Sequence, residues 1–336
     1  MNKKSLLAAG VALGLGLAAA AQAEVIWFDP TGAKGAGGGI SVNVFDWLPG
    51  NALADEAVAR IQAGDTMTPF TLYSHASLGN FLDGNNDTIN GTGLNQAYEI
   101  TYVLAFRERA SFIGANTVEF SFVPGGTNFF EIYIDAAQNA DPLTGTGFND
   151  GQLIYSGVLT PLAGGGIASS FTNQGSPNTP LDQNGVNNYP GVLSVTGQGG
   201  TNINVNSLFI DHNYFFDIPS PGDVELQLNF TTQQVAPFRQ VDPSECFTGA
   251  ANPNLVKGSL GPDNCDNGFQ GSLAGGGAGG GSDVLVNVGG VNGSTGPDFL
   301  FQVDANNNFT KIPEPASLAM LGLGLAFLGL RRVRRS

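Results

Sequence analysis

Side chains able to do chemistry are scarce in this sequence. Its 336 residues hold two histidines, His75 and His212, and two cysteines, Cys246 and Cys265. His212 follows Asp211, but neighbours along a strand point to opposite faces, so adjacency does not make them an acid–base dyad. No G-x-S-x-G, H-E-x-x-H or P-loop pattern occurs. Glycoside hydrolysis needs only two carboxylates, yet none of the 28 acidic residues is set apart by its spacing. The expectation is no enzyme and no catalytic residue, with a matrix glycosidase as the third alternative. The clearest local cluster is Asp83-Gly84-Asn85-Asn86-Asp87-Thr88. Oxygen side chains at Asp83, Asn85 and Asp87 imitate positions 1, 3 and 5 of a calcium loop. Thr88 stands where such a loop needs Gly, and Leu94 where it needs a bidentate Glu. An Asn/Asp-rich turn explains the same residues, so the first expectation is no cofactor, and calcium at Asp83, Asn85 and Asp87 is the second.

The cysteines lack the C-x-x-C spacing of redox pairs, and two thiolates do not fill a zinc site. In an exported chain they are expected to form a Cys246–Cys265 disulfide. Closing that Gly-, Pro- and Asn-rich loop is worth roughly 3 kcal/mol in a chain-entropy estimate. Two tryptophans, Trp27 and Trp47, and seven tyrosines could stack on sugar rings, although most are expected to pack in a core.

The elements that must position these groups read as strands. Apolar and β-branched runs of four to ten residues alternate with Gly, Asn, Asp and Pro clusters. Candidate strands cover residues 40–47, 66–73, 97–106, 111–123, 129–134, 152–159, 192–195, 203–209, 224–230, 284–288 and 299–303. Val118-Glu119-Phe120-Ser121-Phe122 alternates apolar and polar, as does Val224 through Phe230, which buries one face and wets the other. Residues 52–62 suit a short helix, with Glu56 and Arg60 spaced i,i+4. Residues 169–190 read as a long polar loop, and residues 304–308 as linker. The expected fold is all-β: a single antiparallel β-sandwich of jelly-roll type.

Charge narrows the partners. Of 28 acids and 13 bases, 27 acids and seven bases fall within residues 24–312, an excess of 20 acids. Phosphate recognition rests on clustered Lys and Arg, so nucleic acid is not an expected partner.

Both ends read as processing signals. Lys3 and Lys4, an apolar run from Leu6 to Ala21, and Ala21-Gln22-Ala23 make a signal peptide over residues 1–23, cut by signal peptidase before Glu24. The body then spans 24–310, and 311–336 forms a terminal segment. There Pro313-Glu314-Pro315 precedes an uncharged, mostly apolar stretch over residues 316–330, followed by Arg331, Arg332, Arg334 and Arg335. A helix of that length spans about 22 Å, short of a hydrocarbon core of about 30 Å. The arginines would stay on the cytoplasmic side, which puts the body outside the inner membrane.

The order Pro-Glu-Pro, short apolar helix, Arg cluster resembles the PEP-CTERM sorting signal. That resemblance implies recognition by an exosortase, a transient stay in the inner membrane, and delivery to the surface or extracellular matrix of a Gram-negative bacterium that makes exopolysaccharide. The body offers a second resemblance. The run from Ser41 through Trp47 to Leu53, Ser77-Leu78-Gly79-Asn80, Tyr98-Glu99-Ile100-Thr101, and Gly145 through Phe148 to Gly151 look similar to flocculation-associated PEP-CTERM proteins. It implies a role in flocculation and biofilm formation with exopolysaccharide as partner. The alternative function is a glycan-binding module with structural calcium.

Overall fold

Short runs of alternating apolar and polar residues, cut by Gly, Asn and Asp, build strands almost throughout. The computed structural model describes residues 25–36, 38–112, 117–161, 169–172, 179–216, 225–247, 284–285 and 297–312. In chain order the strands are β1 (Ile26–Phe28), β2 (Ile40–Val42), β3 (Val44–Trp47), β4 (Gly50–Ala54), β5 (Phe70–Leu82), β6 (Glu99–Phe112), β7 (Thr117–Phe122), β8 (Phe129–Asp135) and β9 (Gln152–Pro161). They continue with β10 (Ser169–Thr172), β11 (Thr179–Pro180), β12 (Leu193–Ser194), β13 (Gly197–Ile210), β14 (Glu225–Ala236), β15 (Cys246–Phe247), β16 (Val284–Leu285) and β17 (Phe299–Ile312). Among the described residues one helix, α1 (Ala57–Gln62), follows β4. Among the described residues no helix is long and apolar enough to cross a membrane.

The all-β antiparallel class is as expected, and the pairings add how the sheet is arranged. β5 pairs with β6, β6 with β8, β8 with β9, β9 with β13, β13 with β14, and β14 with β17. β17 returns to β3 and β4, and both of these pair with β5. Counting β3 and β4 as one strand broken at Leu48-Pro49, eight staves close a ring. The two layers of a sandwich are thus opposite walls of one sheet, joined mostly between sequence neighbours as in an up-and-down barrel. β7 lines the far half of β6, and β10 extends it.

Eight strands leave an interior just wide enough for side chains to fill. Aromatic rings do so here. Trp47 meets Tyr102 edge-on with centroids 4.8 Å apart, Tyr102 stacks on Phe130 at 5.6 Å, and Phe45 meets Phe309 at 5.0 Å. Asn307, wholly buried among them, accepts a hydrogen bond from the Trp47 indole through its Oδ1. Gly157 keeps the wall close, because a Cβ there would lie 2.6 Å from Val205 Cγ1.

A second layer covers the outside of β4, β5, β6 and β8. Leu181, Phe238, Val241 and Phe247 pack on Leu53 and Leu300, while Phe148 packs with Val103, Phe129 and Tyr133. Two amides facing each other across the β4–β17 pair clamp this cover. Asn51 donates from Nδ2 to the Pro142 carbonyl (3.3 Å) and accepts from the Ser244 N–H (2.8 Å). Gln302 accepts from the N–H groups of Arg239 and Gln240, both at 2.9 Å. Gly145 has φ +74°, and a Cβ there would come within 2.0 Å of the Cys246 carbonyl, so the two covering loops meet only because that side chain is missing.

Three local expectations change. The stretch expected as a helix from residue 52 begins as β4, whose Ala52 and Ala54 fill the barrel, and turns helical only at Ala57, where the Glu56–Arg60 pair forms. Residues 304–308 are wall rather than linker. The outward Asp304, Asn306 and Asn308 hid a strand whose inward Ala305, Asn307 and Phe309 are buried. The segment expected as a polar loop contributes β10 and β11, and Leu181 and Tyr189 within it join the cover. The expected signal helix and terminal membrane helix lie outside the described residues.

Candidate functional site

β17 leads out of the barrel. It pairs with β14 along its whole outer half, ending in Glu225 opposite Ile312 and Leu226 opposite Lys311. The sheet therefore runs two residues past the boundary expected at 310. Pro313, Glu314, Pro315, Arg331, Arg332, Arg334 and Arg335 lie outside the described residues. What the structure fixes is their tether: the chain reaches them directly from a wall strand.

The turns at the same end of the barrel are braced by carboxylates. Asp83 Oδ1 accepts from the N–H groups of Asn85 (2.8 Å) and Asp87 (3.0 Å), and Asn86 sits at φ +65°. The leading residue of the candidate calcium loop thus serves as the brace of an Asx turn. Among the described residues no group of three His, Cys, Asp or Glu side chains is placed to hold a metal ion. Asp211 is similarly engaged, with Oδ1 accepting from the Asn213 N–H at 3.0 Å and Oδ2 from Gln152 Nε2 at 2.9 Å. Burial pushes the Asp29 carboxyl up, but hydrogen bonds from Thr31 (2.6 Å from Oγ1) and the Gly35 N–H (2.7 Å) outweigh it and hold it below the usual carboxylate range. That bond draws the glycine loop onto Phe216, whose ring would lie 2.5 Å from a Cβ on Gly39.

Beside Phe216 stands Trp27, 41% exposed, with ring centroids 6.2 Å apart. Trp47, Tyr102, Tyr133 and Tyr155 are closed inside the protein. Of these sugar-stacking candidates, Trp27 is the one with an open ring.

A buried polar row crosses the covered wall, and sequence reasoning did not find it. Register sets Asn51 opposite His75, His75 opposite Val103, Val103 opposite Glu131, and Glu131 opposite Ser156. His75 is stacked between Phe148 at 4.1 Å and Phe247 at 4.8 Å, and neither ring nitrogen is hydrogen-bonded among the described residues. Burial pushes its pKa down to about 3. Glu131 accepts from the Tyr133 hydroxyl at 2.8 Å, while its Oε1 and the Ser156 hydroxyl find no partner among the described residues. Burial drives Glu131 up to about 7, the Tyr133 bond opposing it. Inside the barrel Glu108, aligned with Phe106 and Ala110 on the inward face of β6, is pushed up to about 8 by burial. These groups are sealed from solvent. The row from Asn51 to Ser156 depends on register across five strands, which no local pattern encodes.

Cys246 is buried in β15, within this cover. Its expected partner, Cys265, lies outside the described residues.

Residues 311–335 match the PEP-CTERM protein-sorting motif. The match begins at Lys311, inside β17. No curated protein and no solved structure matches the chain. The chain thus carries a terminal signal that implies export and sorting by an exosortase.

Proposed function

We propose that this exosortase-sorted chain is a cell-surface or matrix protein that supports flocculation and biofilm formation by holding exopolysaccharide. The observation that carries the reading is the junction: a closed barrel is joined without spare chain to a sorting signal. A rigid cargo delivered on such a signal suits display better than turnover of a substrate. Signal peptidase releases the N-terminus at Glu24, the Cys246–Cys265 disulfide fastens the covering loops, and the exosortase acts near Pro313-Glu314-Pro315. The product resides on the outside of a Gram-negative cell. No catalysis is assigned to it. Retention of polymer by many displayed copies needs no tight single site, because avidity multiplies weak contacts.

A second reading is a glycan-binding module with calcium at Asp83, Asn85 and Asp87. It is favoured by the open Trp27 ring beside Phe216.

The test is intact mass of the protein recovered from cells and from culture matrix, together with floc formation by a strain carrying the chain truncated after Pro315. A start at Glu24, loss of the Arg-rich tail, and loss of flocs on truncation support the proposal. An intact tail in every fraction, or full flocculation by the freely secreted truncation, refutes it.

A further inference from the structure

Three neighbouring staves carry an unusual outer face. Register sets Asn202 opposite Thr231 and Thr231 opposite Asn306, and in the next row Asn204 opposite Asn229 and Asn229 opposite Asn308. The residues between them, Ile203, Phe230 and Asn307, are buried in the barrel, so all six point outward. Asn202, Thr231 and Asn306 are exposed, and the other three half-buried. The six form a grid of amides and one hydroxyl, with steps of about 4.8 Å between strands and about 7 Å along them. One hydrogen bond runs within it, from Thr231 Oγ1 to Asn229 Oδ1 at 3.2 Å. The side-chain amides of Asn202, Asn204, Asn306 and Asn308 meet no protein partner among the described residues.

An exposed sheet face is usually made soluble by interspersed charges of both signs. Within these two rows solubility is left to five amides and one hydroxyl, with Asp304 the outward charge in the next row of β17; each amide offers two donors and one acceptor. Vicinal hydroxyls of a sugar ring also donate and accept, so a polyhydroxyl chain can satisfy both halves of each amide. A step of one strand is close to the advance of one hexose along an extended chain. Charge selects among such polymers. None of the six side chains is ionisable, the neighbour opposite Asn306 is Asp46, and the chain carries a net charge of −15. A polyanion is repelled and a neutral polymer is not.

We infer that the outer face of β13, β14 and β17 binds a neutral polysaccharide laid flat across the strands through paired amide–hydroxyl hydrogen bonds. This rests on the reading of the chain as a holder of exopolysaccharide, and it names both the face and the class of polymer. Each bond replaces one to water and gains little, so one copy binds weakly and an array of copies retains the polymer.

The experiment is affinity electrophoresis of the full chain in mild detergent through gels containing a soluble mixed-linkage β-glucan, galactomannan, dextran or alginate. The wild type, the triple variant Asn204→Ala, Asn229→Ala, Asn306→Ala, and Trp27→Ala are run side by side. All three changes lie on solvent-facing side chains, and circular dichroism of the triple variant checks that the barrel is intact. The expected result is retardation by at least one neutral polymer and none by alginate, weakened about tenfold or more in the triple variant and kept in Trp27→Ala. Retardation lost in Trp27→Ala but kept in the triple variant overturns this face and leaves polysaccharide association standing. Retardation by alginate alone overturns the choice of a neutral polymer. No retardation of the wild type by any polymer overturns both. If the triple change alters only the sedimentation mass, the face joins copies of the chain and the inference fails.

Discussion

Glu108 offers the sharpest test of how the barrel interior is built. It projects among Phe106, Ala110 and Phe70, and burial raises its pKa from an ordinary 4.5 to about 8. A folded-state pKa above the unfolded one means that the folded chain binds the extra proton. Stability is then fully present below the unfolded value and is lost as pH rises through the folded value. Between about pH 6.5 and pH 8.5 the unfolded chain is ionised throughout, while the folded chain passes from protonated to mostly ionised. Integrating proton uptake over that window gives a loss of roughly 2 kcal/mol from Glu108. Glu131, raised to about 7, loses just under about 1 kcal/mol over the same window. His75 lies at about 3, so its depressed pKa costs stability only below about pH 6.5 and leaves the window clear. The assay is urea unfolding of the full chain, followed by the fluorescence of buried Trp47. Wild type should weaken by about 3 kcal/mol across the window, and Glu108→Gln should remove about two-thirds of that slope. A slope unchanged in Glu108→Gln, or a wild type insensitive to pH, refutes the placement of this carboxyl.

Three further outcomes follow from named contacts. Trp47→Phe removes the indole donor and leaves the buried Asn307 Oδ1 unpaired, so thermal melts should show a loss of about 2–3 kcal/mol. Asn51→Ala cuts the clamps to Pro142 and Ser244 while sparing the barrel core. Hydrogen exchange should therefore quicken over residues 139–148 and 241–247 ahead of β13 and β14. The exported protein should be lighter than its reduced form by two hydrogen masses, and Cys246→Ser should cost about 3 kcal/mol; equal masses before and after reduction would rule out the disulfide.

The legible part of the fold was the part with short-range cause. Val118 through Phe122 and the run ending at Phe230 alternate cleanly because one face is core and the other water, and both are strands. The Glu56–Arg60 spacing marked the helix. β4 carries a helical signal because Ala52 and Ala54 are good helix formers, and their small size fits them to the inside of the barrel. Residues 304–308 look like linker because Asn and Asp usually signal turns, whereas β14 along one edge and β3 beside 306–308 on the other hold them extended. Ring closure pairs residues some 250 apart, such as Asn307 with Phe45, and leaves no local trace. The same holds for the candidate sites. Asp83 was conspicuous and its turn real, while the row through His75, Glu131 and Ser156 exists only once four strands are in register.

The barrel's first and last staves are its two ends in time as well as in space. Export feeds the chain out N-terminus first, so β3 and β4 emerge early and wait with their outer edge unpaired. Among the described residues β17 alone pairs with that edge, and it is the last of the eight staves to cross. Its last two residues, Lys311 and Ile312, already belong to the sorting motif. Closure of the ring and arrival of the sorting signal therefore fall within a few residues of each other. A chain interrupted anywhere before Phe299 presents an open sheet edge, a template for pairing with other chains, and carries no signal by which to be sorted. Closure of the ring and admission to sorting become one event.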